Sequence, residues 1–272
     1  MTHVIILAGG KGTRLRASSH NPKVLLAVGG VPLIERVLRA VRPLCVAPTI
    51  IVGFGAERVI AATGNRYSYV RQEEQLGTGH AVLCARDALK GRPDIDNIIV
   101  LYGDHPLVST ETLRRLASLR AQDGSVLALA TIVVPDFTGD HQAFARFGRI
   151  VRNGEGKMKI IEFKDADEAT RRIREVNPGY YCFQPDWLWS RIGTLSPANA
   201  AGEYYLTDLV QMATAEGPPI SSFVISDPHE GMGVNTEEEY AIAERWARRI
   251  EASSSTNNES PPVGGSNKRI DS

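Results

Sequence analysis

The sequence predicts an α/β protein with three layers and a mixed, mostly parallel sheet. Three observations support this class. Short apolar runs recur through the first half of the chain, helical patterns of apolar residues lie between them, and the first run ends in glycines. Strands that alternate with helices usually return in the same direction, and helices then cover both faces of the sheet.

The first half shows this alternation element by element. Apolar and β-branched runs predict strands at residues 3–8, 49–52, 98–101 and 125–134. Helical spacing predicts a helix that starts at Leu33, with Pro32 suited to its first turn, and a short helix at 57–62. Ser109 is placed to cap a further helix that runs to about Gln122, with Thr112 three residues on.

The second half has a different pattern. Residues 147–164 contain short strand patterns broken by Asn153-Gly154-Glu155-Gly156, which predicts a hairpin. A charged helix is predicted at 165–175 and a strand at 220–225. Thr236 and Glu239 form a capping box for a helix to about Ile250. The residues that follow are too polar to pack, so we expect a folded domain at 1–251 and a disordered polar tail at 252–272.

Bulk properties restrict the function. The 272 residues carry 31 Lys+Arg and 31 Asp+Glu, and this balance argues against general nucleic-acid binding. No apolar run approaches the ~18 residues of a membrane span, and no signal-peptide pattern is present. Cys45, Cys84 and Cys182 are scattered, which is typical of reduced packing residues in a cytoplasmic protein.

The glycine-rich turn after the first strand is the most informative motif. Val4-Ile5-Ile6-Leu7-Ala8 leads into Gly9-Gly10-Lys11-Gly12-Thr13-Arg14, and Lys23 follows nine residues later. Glycines let backbone N–H groups approach an anion closely, and the cations add charge, so this turn predicts phosphate binding. It fits neither the P-loop nor the dinucleotide fingerprint, because Lys11 precedes Gly12 and Leu15 replaces the third glycine. The alternative is a strand of any α/β protein that ends in glycines.

Two further segments carry polar groups at predicted element ends. Gln72 lies in a polar loop that turns at Gly77, and its amide could bind the edge of a base. Asp104 follows a predicted central strand, where one carboxylate could hold Mg²⁺ together with substrate phosphates and water. The alternatives are a loop-to-helix junction capped by Thr78 and a turn before Pro106. We expect His105 to be a positioned loop residue rather than a general base.

Seven segments, in order, resemble the sugar-1-phosphate nucleotidyltransferases, and in particular the uridylyltransferase half of the bacterial bifunctional N-acetylglucosamine-1-phosphate uridyltransferases. They are LAGGKGTRL with NPKVL, QEEQLGTGHA, YGDHPL, FGRIV, IIEFKDADEATRRIREVNPGYY, NAAGEYYLTD and GVNT. They extend from residue 4 to about 236. The resemblance implies a Rossmann-like nucleotidyltransferase fold with a small β-rich insertion that binds the sugar. It also implies transfer of UMP from UTP to N-acetylglucosamine-1-phosphate, with Mg²⁺ as cofactor.

The resemblance also implies roles for individual residues. The catalytic groups would be Arg14, Lys23 and Asp104, and the metal ligands Asp104 and Asn235. The nucleotide would contact Leu7, Ala8, Gly9, Gly10, Gly12, Thr13, Lys23, Gln72, Gly77, Thr78, Tyr102 and Gly103. The sugar phosphate would contact Gly148, Glu162, Asn177, Tyr205 and Thr207.

Departures from the family pattern keep other interpretations open. Leu-Ala-Gly-Gly replaces the usual Leu-Ala-Ala-Gly, as in thymidylyltransferases, Phe147 replaces a tyrosine, and Pro178 follows Asn177. The chain ends in a polar segment where the bifunctional enzymes continue into an acetyltransferase β-helix, so we expect no acetyl transfer and carry over no oligomeric state. The alternatives are transfer with another nucleotide or sugar phosphate, and a non-catalytic homologue that binds nucleotide sugars.

Overall fold

The computed structural model describes residues 1–12, 14–15, 21–153 and 157–256, excluding the side chains of 252–256. The strands are β1 (Thr2–Leu7), β2 (Ala27–Val28), β3 (Val31–Pro32), β4 (Thr49–Val52), β5 (Ser68–Arg71), β6 (Asn97–Tyr102), β7 (Leu127–Val133), β8 (Gly148–Arg152), β9 (Met158–Ile161), β10 (Glu175–Asn177), β11 (Tyr181–Phe183) and β12 (Ile220–Val224). The α-helices are α1 (Leu33–Val41), α2 (Ala56–Thr63), α3 (Thr78–Cys84), α4 (Arg86–Leu89), α5 (Thr110–Gln122), α6 (Glu168–Arg171), α7 (Pro185–Arg191), α8 (Asp208–Glu216) and α9 (Glu237–Thr256).

Within the described residues, ten strands form one mixed sheet in the order β5-β4-β1-β6-β11-β7-β10-β8-β9, with β12 also paired to β7. The pairs among β5, β4, β1 and β6 are parallel, as is the β12–β7 pair. The pairs that β11, β10, β8 and β9 make along the main strand order are antiparallel. The predicted mixed α/β sheet is confirmed, with a larger antiparallel share than the alternation of elements indicated.

Helices cover both faces of the sheet because alternate residues of the central strands point in opposite directions. Val4 and Ile6 of β1 belong to one buried cluster, which includes Leu33 of α1 and Leu113 of α5. Ile5 belongs to the other cluster, with residues of α3, α7 and α8. This alternation produces the three predicted layers, since a strand buried on both faces needs apolar side chains at every position.

The parallel strands bring three sequence motifs to one edge. In the β1–β6 register Leu7 lies opposite Tyr102, and in the β4–β5 register Val52 lies opposite Arg71. The loops that follow β1, β5 and β6 therefore leave the sheet at the same edge, with β4 between β5 and β1. Ligands of open α/β sheets bind at this edge, and the glycine-rich turn, Gln72 and Asp104 all follow directly from it.

Two predicted helices differ from the structure. The charged segment 165–175 is mostly not helical, because α6 covers only Glu168–Arg171 and Glu175 already pairs with Val133. Antiparallel pairing of β10 with β7 and β8 outweighs the local helical preference here. The last helix runs to Thr256, past the predicted end near Ile250, so the predicted domain boundary at 251/252 falls inside α9. The predicted disorder of residues 257–272 lies outside the described residues.

The smaller predictions of structure are confirmed. Ser109 Oγ accepts a hydrogen bond from the Thr112 backbone N–H at 3.1 Å, and β8 and β9 form the predicted hairpin. The turn residues 154–156 lie outside the described residues. Cys45, Cys84 and Cys182 are free. Among the described residues, no helix is both long and apolar enough to cross a bilayer.

The last helix packs against the region that follows the glycine-rich turn. Tyr240 Oη donates a hydrogen bond to the Ala27 carbonyl at 2.7 Å, and Glu244 Oε1 accepts one from the Gly29 backbone N–H at 2.9 Å. Both acceptor and donor belong to the β2–β3 hairpin and its turn. These contacts fix the position of α9, and therefore of the segment just before it, relative to the N-terminal part of the chain.

We expect Gly179→Ala to destabilise the fold more than Gly217→Ala. Both glycines have positive φ, +82° and +90°, so each alanine costs about 1–2 kcal/mol in backbone conformation. A Cβ on Gly179 would also overlap the Tyr102 ring, whereas one on Gly217 meets nothing within 4 Å. The overpacking adds about 1–3 kcal/mol. Urea denaturation of both variants measures the difference, and equal losses would contradict the close contact.

Candidate active site

A cavity of about 260 Å³ lies at the carboxyl edge of the parallel strands. Ten of the residues proposed above line it: Leu7, Ala8, Gly9, Gly10, Lys23, Gln72, Gly77, Thr78, Tyr102 and Asp104. Val24, Gln75, Ala81 and Glu203 complete the lining. The structure thus brings together residues from several segments, of which the most distant, Leu7 and Glu203, are 196 positions apart in the sequence.

The loop around Gly77 is held against a distant segment. Gly77 has φ +109°, and a Cβ there would lie 2.7 Å from the Tyr204 carbonyl oxygen. The backbone N–H of Gly79 donates to that same oxygen at 2.8 Å, and the Tyr204 N–H donates to the Leu76 carbonyl at 2.8 Å. Only glycine fits so close a contact between two backbones. The contact shapes one wall of the cavity and places Glu203 in it.

Lys23 joins the two proposed metal ligands. Its Nζ donates a short hydrogen bond to Asp104 Oδ2 and another, of 2.6 Å, to Asn235 Oδ1. The Lys23 and Asp104 side chains are only 10% and 14% exposed. The backbone N–H of Val234 also donates to the Asp104 carbonyl at 3.0 Å. Asp104 and Asn235 therefore converge on one cationic group although they are far apart in the sequence.

The pKa of Asp104 reflects this environment. Burial raises it, the charge of Lys23 and its hydrogen bond lower it, His105 lowers it further, and the net pKa lies below the usual value. The carboxylate is therefore ionised at neutral pH. A lowered native pKa stabilises the fold above the unfolded-state value of about 3.9, and this stabilisation is lost as the pH falls through the native value.

His105 is a buried structural neighbour of this group. Burial lowers the pKa of His105 to about 4, against an opposing effect of Asp104. The ring is therefore neutral at pH 7. Its Nδ1 lies 3.1 Å from Tyr180 Oη, which itself donates to the Glu230 carbonyl at 2.7 Å, so Nδ1 carries the proton and donates. This bonding agrees with the expected role of a positioned loop residue.

The five residues proposed for the sugar phosphate lie in or around a group centred on Glu162. Thr207 Oγ1 donates to Glu162 Oε1 at 3.0 Å and makes no side-chain capping hydrogen bond to α8. A Cβ on Gly148 would lie 3.4 Å from Glu162 Oε2. Asn177 Nδ2 donates to Tyr181 Oη at 2.6 Å. Burial raises the pKa of Tyr205, and the nearby carboxylates of Asp165 and Glu162 raise it further.

This second group is acidic and adjoins the first. Burial raises the pKa of Glu162, and Asp165, Asp208 and Glu203 raise it further against the hydrogen bond from Thr207. Tyr102 lines the cavity and lies near both groups. Burial raises the pKa of Tyr102, and the charges of Glu162 and Asp104 raise it further. A cluster of carboxylates accepts hydrogen bonds from hydroxyl groups, whereas Lys23 supplies the positive charge that phosphates need.

The capping box predicted from Thr236 and Glu239 holds Asn235 in place. Glu239 Oε2 accepts hydrogen bonds from the backbone N–H groups of Asn235, at 2.5 Å, and Thr236, at 3.1 Å. Thr236 Oγ1 accepts from the Glu239 N–H at 3.2 Å. Since Asn235 is the residue just before this cap, the start of α9 fixes the direction of its side chain.

Other proposed residues lie elsewhere. Arg14 borders a second cavity of about 800 Å³, together with Arg146, Thr236 and Glu239, and among the described residues it does not line the first. Gly103 packs behind the first cavity, where its N–H donates to the Leu7 carbonyl at 2.9 Å. Gly12 turns the chain toward Leu15. Thr13 lies outside the described residues.

Sequence reasoning assigned no role to two polar residues of the cavity. Gln75 Nε2 donates to the Gly9 carbonyl at 2.7 Å and so joins the polar loop to the glycine-rich turn. Glu203 reaches the cavity through the close contact between its segment and Gly77. Gln75 could have been chosen from its place in the same polar loop as Gln72. Nothing local marks Glu203, because its position depends on a long-range backbone contact.

Comparison with known proteins identifies the family. The family model of the MobA-like NTP transferase domain matches residues 4–198. The chain belongs to this family. It is 40% identical over 242 residues to the bifunctional protein GlmU of Heliobacterium modesticaldum, covering 88% of this chain and 50% of that protein. It is 42% identical over 250 residues to GlmU of Alkalilimnicola ehrlichii, covering 90% and 51%. The chain spans about half the length of these curated relatives.

Solved structures share the fold. A UDP-glucose pyrophosphorylase complexed with UDP-glucose superposes with a TM-score of 0.67 at 20% identity, covering 92% of this chain and 99% of that one. A protein from Bacillus anthracis assigned as a glucose-1-phosphate thymidylyltransferase gives a TM-score of 0.67 at 20% identity, covering 91% and 96%. At this identity the likeness establishes the α/β nucleotidyltransferase architecture alone.

We expect Lys23→Met to destabilise the protein by about 3–5 kcal/mol at pH 7, because it leaves the Asp104 carboxylate buried without its partner. The double variant Lys23→Met/Asp104→Asn removes that charge and should recover at least half of the loss. Urea denaturation of the two single variants and the double variant gives the coupling energy. Losses that simply add would show that the two side chains do not interact in solution.

Proposed function

We propose that this chain transfers the UMP moiety of UTP to N-acetylglucosamine-1-phosphate, giving UDP-N-acetylglucosamine and pyrophosphate. The observation that carries the proposal is the convergence of Asp104 and Asn235 on Lys23. Lys23 and Asp104 line a cavity together with the glycine-rich turn and Gln72. The sequence resemblance supplies the uridine nucleotide and the N-acetylated sugar. The neighbouring acidic group around Glu162 supports a sugar as the second substrate.

In this reaction the protein has to align the two substrates and neutralise their charge. An oxygen of the sugar-1-phosphate attacks the α-phosphorus of UTP, the new P–O bond forms, and the bond to pyrophosphate breaks. The attacking phosphate is already ionised, so the transfer needs no general base, and neutral His105 is not required as one. Holding the two anions in line supplies most of the rate, and Lys23 would offset the charge on the triphosphate.

The residues present fit a divalent cation. Carboxylate and amide oxygens are the donors that Mg²⁺ prefers, and Asp104 Oδ2 and Asn235 Oδ1 both bind the ammonium group of Lys23. Among the described residues, no cluster of three His, Cys, Asp or Glu side chains is suited to a metal. Mg²⁺ held by Asp104 and Asn235 would need phosphate or water oxygens as further ligands. Bound there, it would neutralise developing charge on the phosphates.

A thymidylyltransferase is the second candidate. The Leu7-Ala8-Gly9-Gly10 sequence matches that group at the turn, and the fold is shared with a protein assigned to it. A panel of UTP, TTP, CTP and GTP against several sugar-1-phosphates, with pyrophosphate release as the readout, separates the candidates. UTP with N-acetylglucosamine-1-phosphate should give the highest kcat/KM. Binding of UTP without pyrophosphate release from any pair would favour a non-catalytic homologue.

We expect Asp104→Asn to lower kcat by about 10²–10³-fold or more, since preorganised charge at a reacting phosphate has effects of this size. The fold should survive, because the amide still accepts a hydrogen bond from Lys23. Pyrophosphate release measured across a magnesium titration checks this expectation. Asp96→Asn is the matched control, since Asp96 lies next to the start of β6, at the opposite edge of the sheet. Turnover of Asp104→Asn close to wild type at any magnesium concentration would remove the metal assignment.

We expect Glu162→Gln to raise the KM for the sugar phosphate by about 10–100-fold, because a charged hydrogen-bond acceptor contributes about 1.5–3 kcal/mol. The KM for UTP should change little. Steady-state kinetics with each substrate varied in turn provide the comparison. Glu168→Gln, whose side chain is 84% exposed, is the control. An equal rise in both KM values would place Glu162 outside the sugar subsite.

A further inference from the structure

The orientation of the Gln72 side-chain amide is determined by its neighbours. Nε2 lies 3.0 Å from the Gly77 carbonyl oxygen and 3.1 Å from His80 Nδ1. A backbone carbonyl only accepts hydrogen bonds, so the amide nitrogen, and not the amide oxygen, must face Gly77. The nitrogen has two hydrogens, and the second is directed to His80. Both donors of Gln72 are therefore used inside the protein.

The remaining polar atom of Gln72 faces the cavity wall formed by the glycine-rich turn. Oε1 lies 3.3 Å from the position that a Cβ on Gly9 would take, and Gly9 and Gln72 both line the cavity. Gln75 fixes this wall through its bond to the Gly9 carbonyl. Within the described residues, no group donates a hydrogen bond to Oε1. Toward a ligand, Gln72 thus offers an acceptor and no donor.

His80 is the residue that leaves Gln72 with an acceptor but no free donor toward the cavity. It lies in the first turn of α3, and its Nε2 is 3.9 Å from Cys84 Sγ, one helical turn further on. Because Nδ1 accepts from Gln72, the ring proton is on Nε2 and points to the sulfur. Without an acceptor at this position, the second N–H of Gln72 would lack a partner, and the amide would be freer to turn toward the cavity.

We propose that His80 is a positioning residue for base selection. By accepting a hydrogen bond from the second N–H of Gln72, it keeps the acceptor Oε1 directed to the cavity. Oε1 then selects nucleobases that carry an N–H on the edge facing Gln72. Uracil and thymine carry such a group at N3, whereas cytosine has an unprotonated nitrogen there. This inference rests on the proposed function for the identity of the site. A site built around one acceptor rejects an analogue without the matching donor, since the buried oxygen stays unpaired.

The test compares two substitutions of His80 that have nearly the same shape but end in an amide in one case and in two methyl groups in the other. His80→Asn places an amide oxygen near the position of Nδ1 and keeps the acceptor, whereas His80→Leu removes it. We expect His80→Leu to lower the ratio of kcat/KM for UTP over CTP at least tenfold, mainly through KM for UTP, with kcat within a few-fold of wild type. His80→Asn should keep most of the ratio. Cys84→Ala, which leaves the Gln72–His80 bond in place, should not change it.

Calorimetric titration with UTP and CTP, without a sugar phosphate, separates this inference from the proposed function. Tighter binding of UTP that His80→Leu removes and His80→Asn retains would support the inference even if no turnover occurs, in which case only the proposed function fails. Equal binding of UTP and CTP by the unsubstituted protein would overturn the inference. An unchanged UTP/CTP ratio in His80→Leu would also overturn it, as would an Asn variant that behaves like the Leu variant.

Discussion

The contact on which the site depends is the pair of hydrogen bonds from the Lys23 ammonium to Asp104 and Asn235. A buried carboxylate without a partner is costly, and the lysine offsets that cost while it brings an amide oxygen from another part of the chain to the same point. The arrangement gathers oxygen donors and a positive charge, itself held by two hydrogen bonds, beside the cavity. Under the proposed function, phosphate chemistry uses both, so a contact that stabilises the fold would also prepare the site.

The sheet explains why this contact can form. Loops leave the parallel strands β5, β1 and β6 at one edge, so the glycine-rich turn, Gln72 and Asp104 meet without any long excursion of the backbone. The antiparallel half of the sheet contributes differently. Strands β8, β9 and β10 carry or border Gly148, Glu162 and Asn177, and their pairing places the acidic group next to Tyr102. The division between cationic and acidic regions follows the division of the sheet into parallel and antiparallel parts.

Local signals in the sequence were sufficient for the elements and for several caps, because their bonds span three or four residues. Ser109 with Thr112 and Thr236 with Glu239 are examples. The site required more. Lys23 bonds to groups 81 and 212 residues away, and only the family resemblance paired Asp104 with Asn235. The helix predicted at 165–175 was wrong over most of its length because the strand pairing of Glu175 and Val176 is non-local. The orientation of the Gln72 amide depends on its contacts with Gly77 and His80 in the folded chain, which the sequence alone does not indicate.

The capping of the last helix has a consequence for how the two ends of the chain cooperate. Glu239 holds the backbone at Asn235, and Tyr240 and Glu244, about one and two helical turns after Thr236, form hydrogen bonds with the hairpin that follows Lys23. The final helix therefore connects the β2–β3 hairpin, which follows the glycine-rich turn and Lys23, to Asn235. Weakening these contacts, by trimming the helix or by fusing a bulky partner close to it, would disturb the bonds between Lys23, Asp104 and Asn235, even though none of the described side chains of α9 lines the cavity.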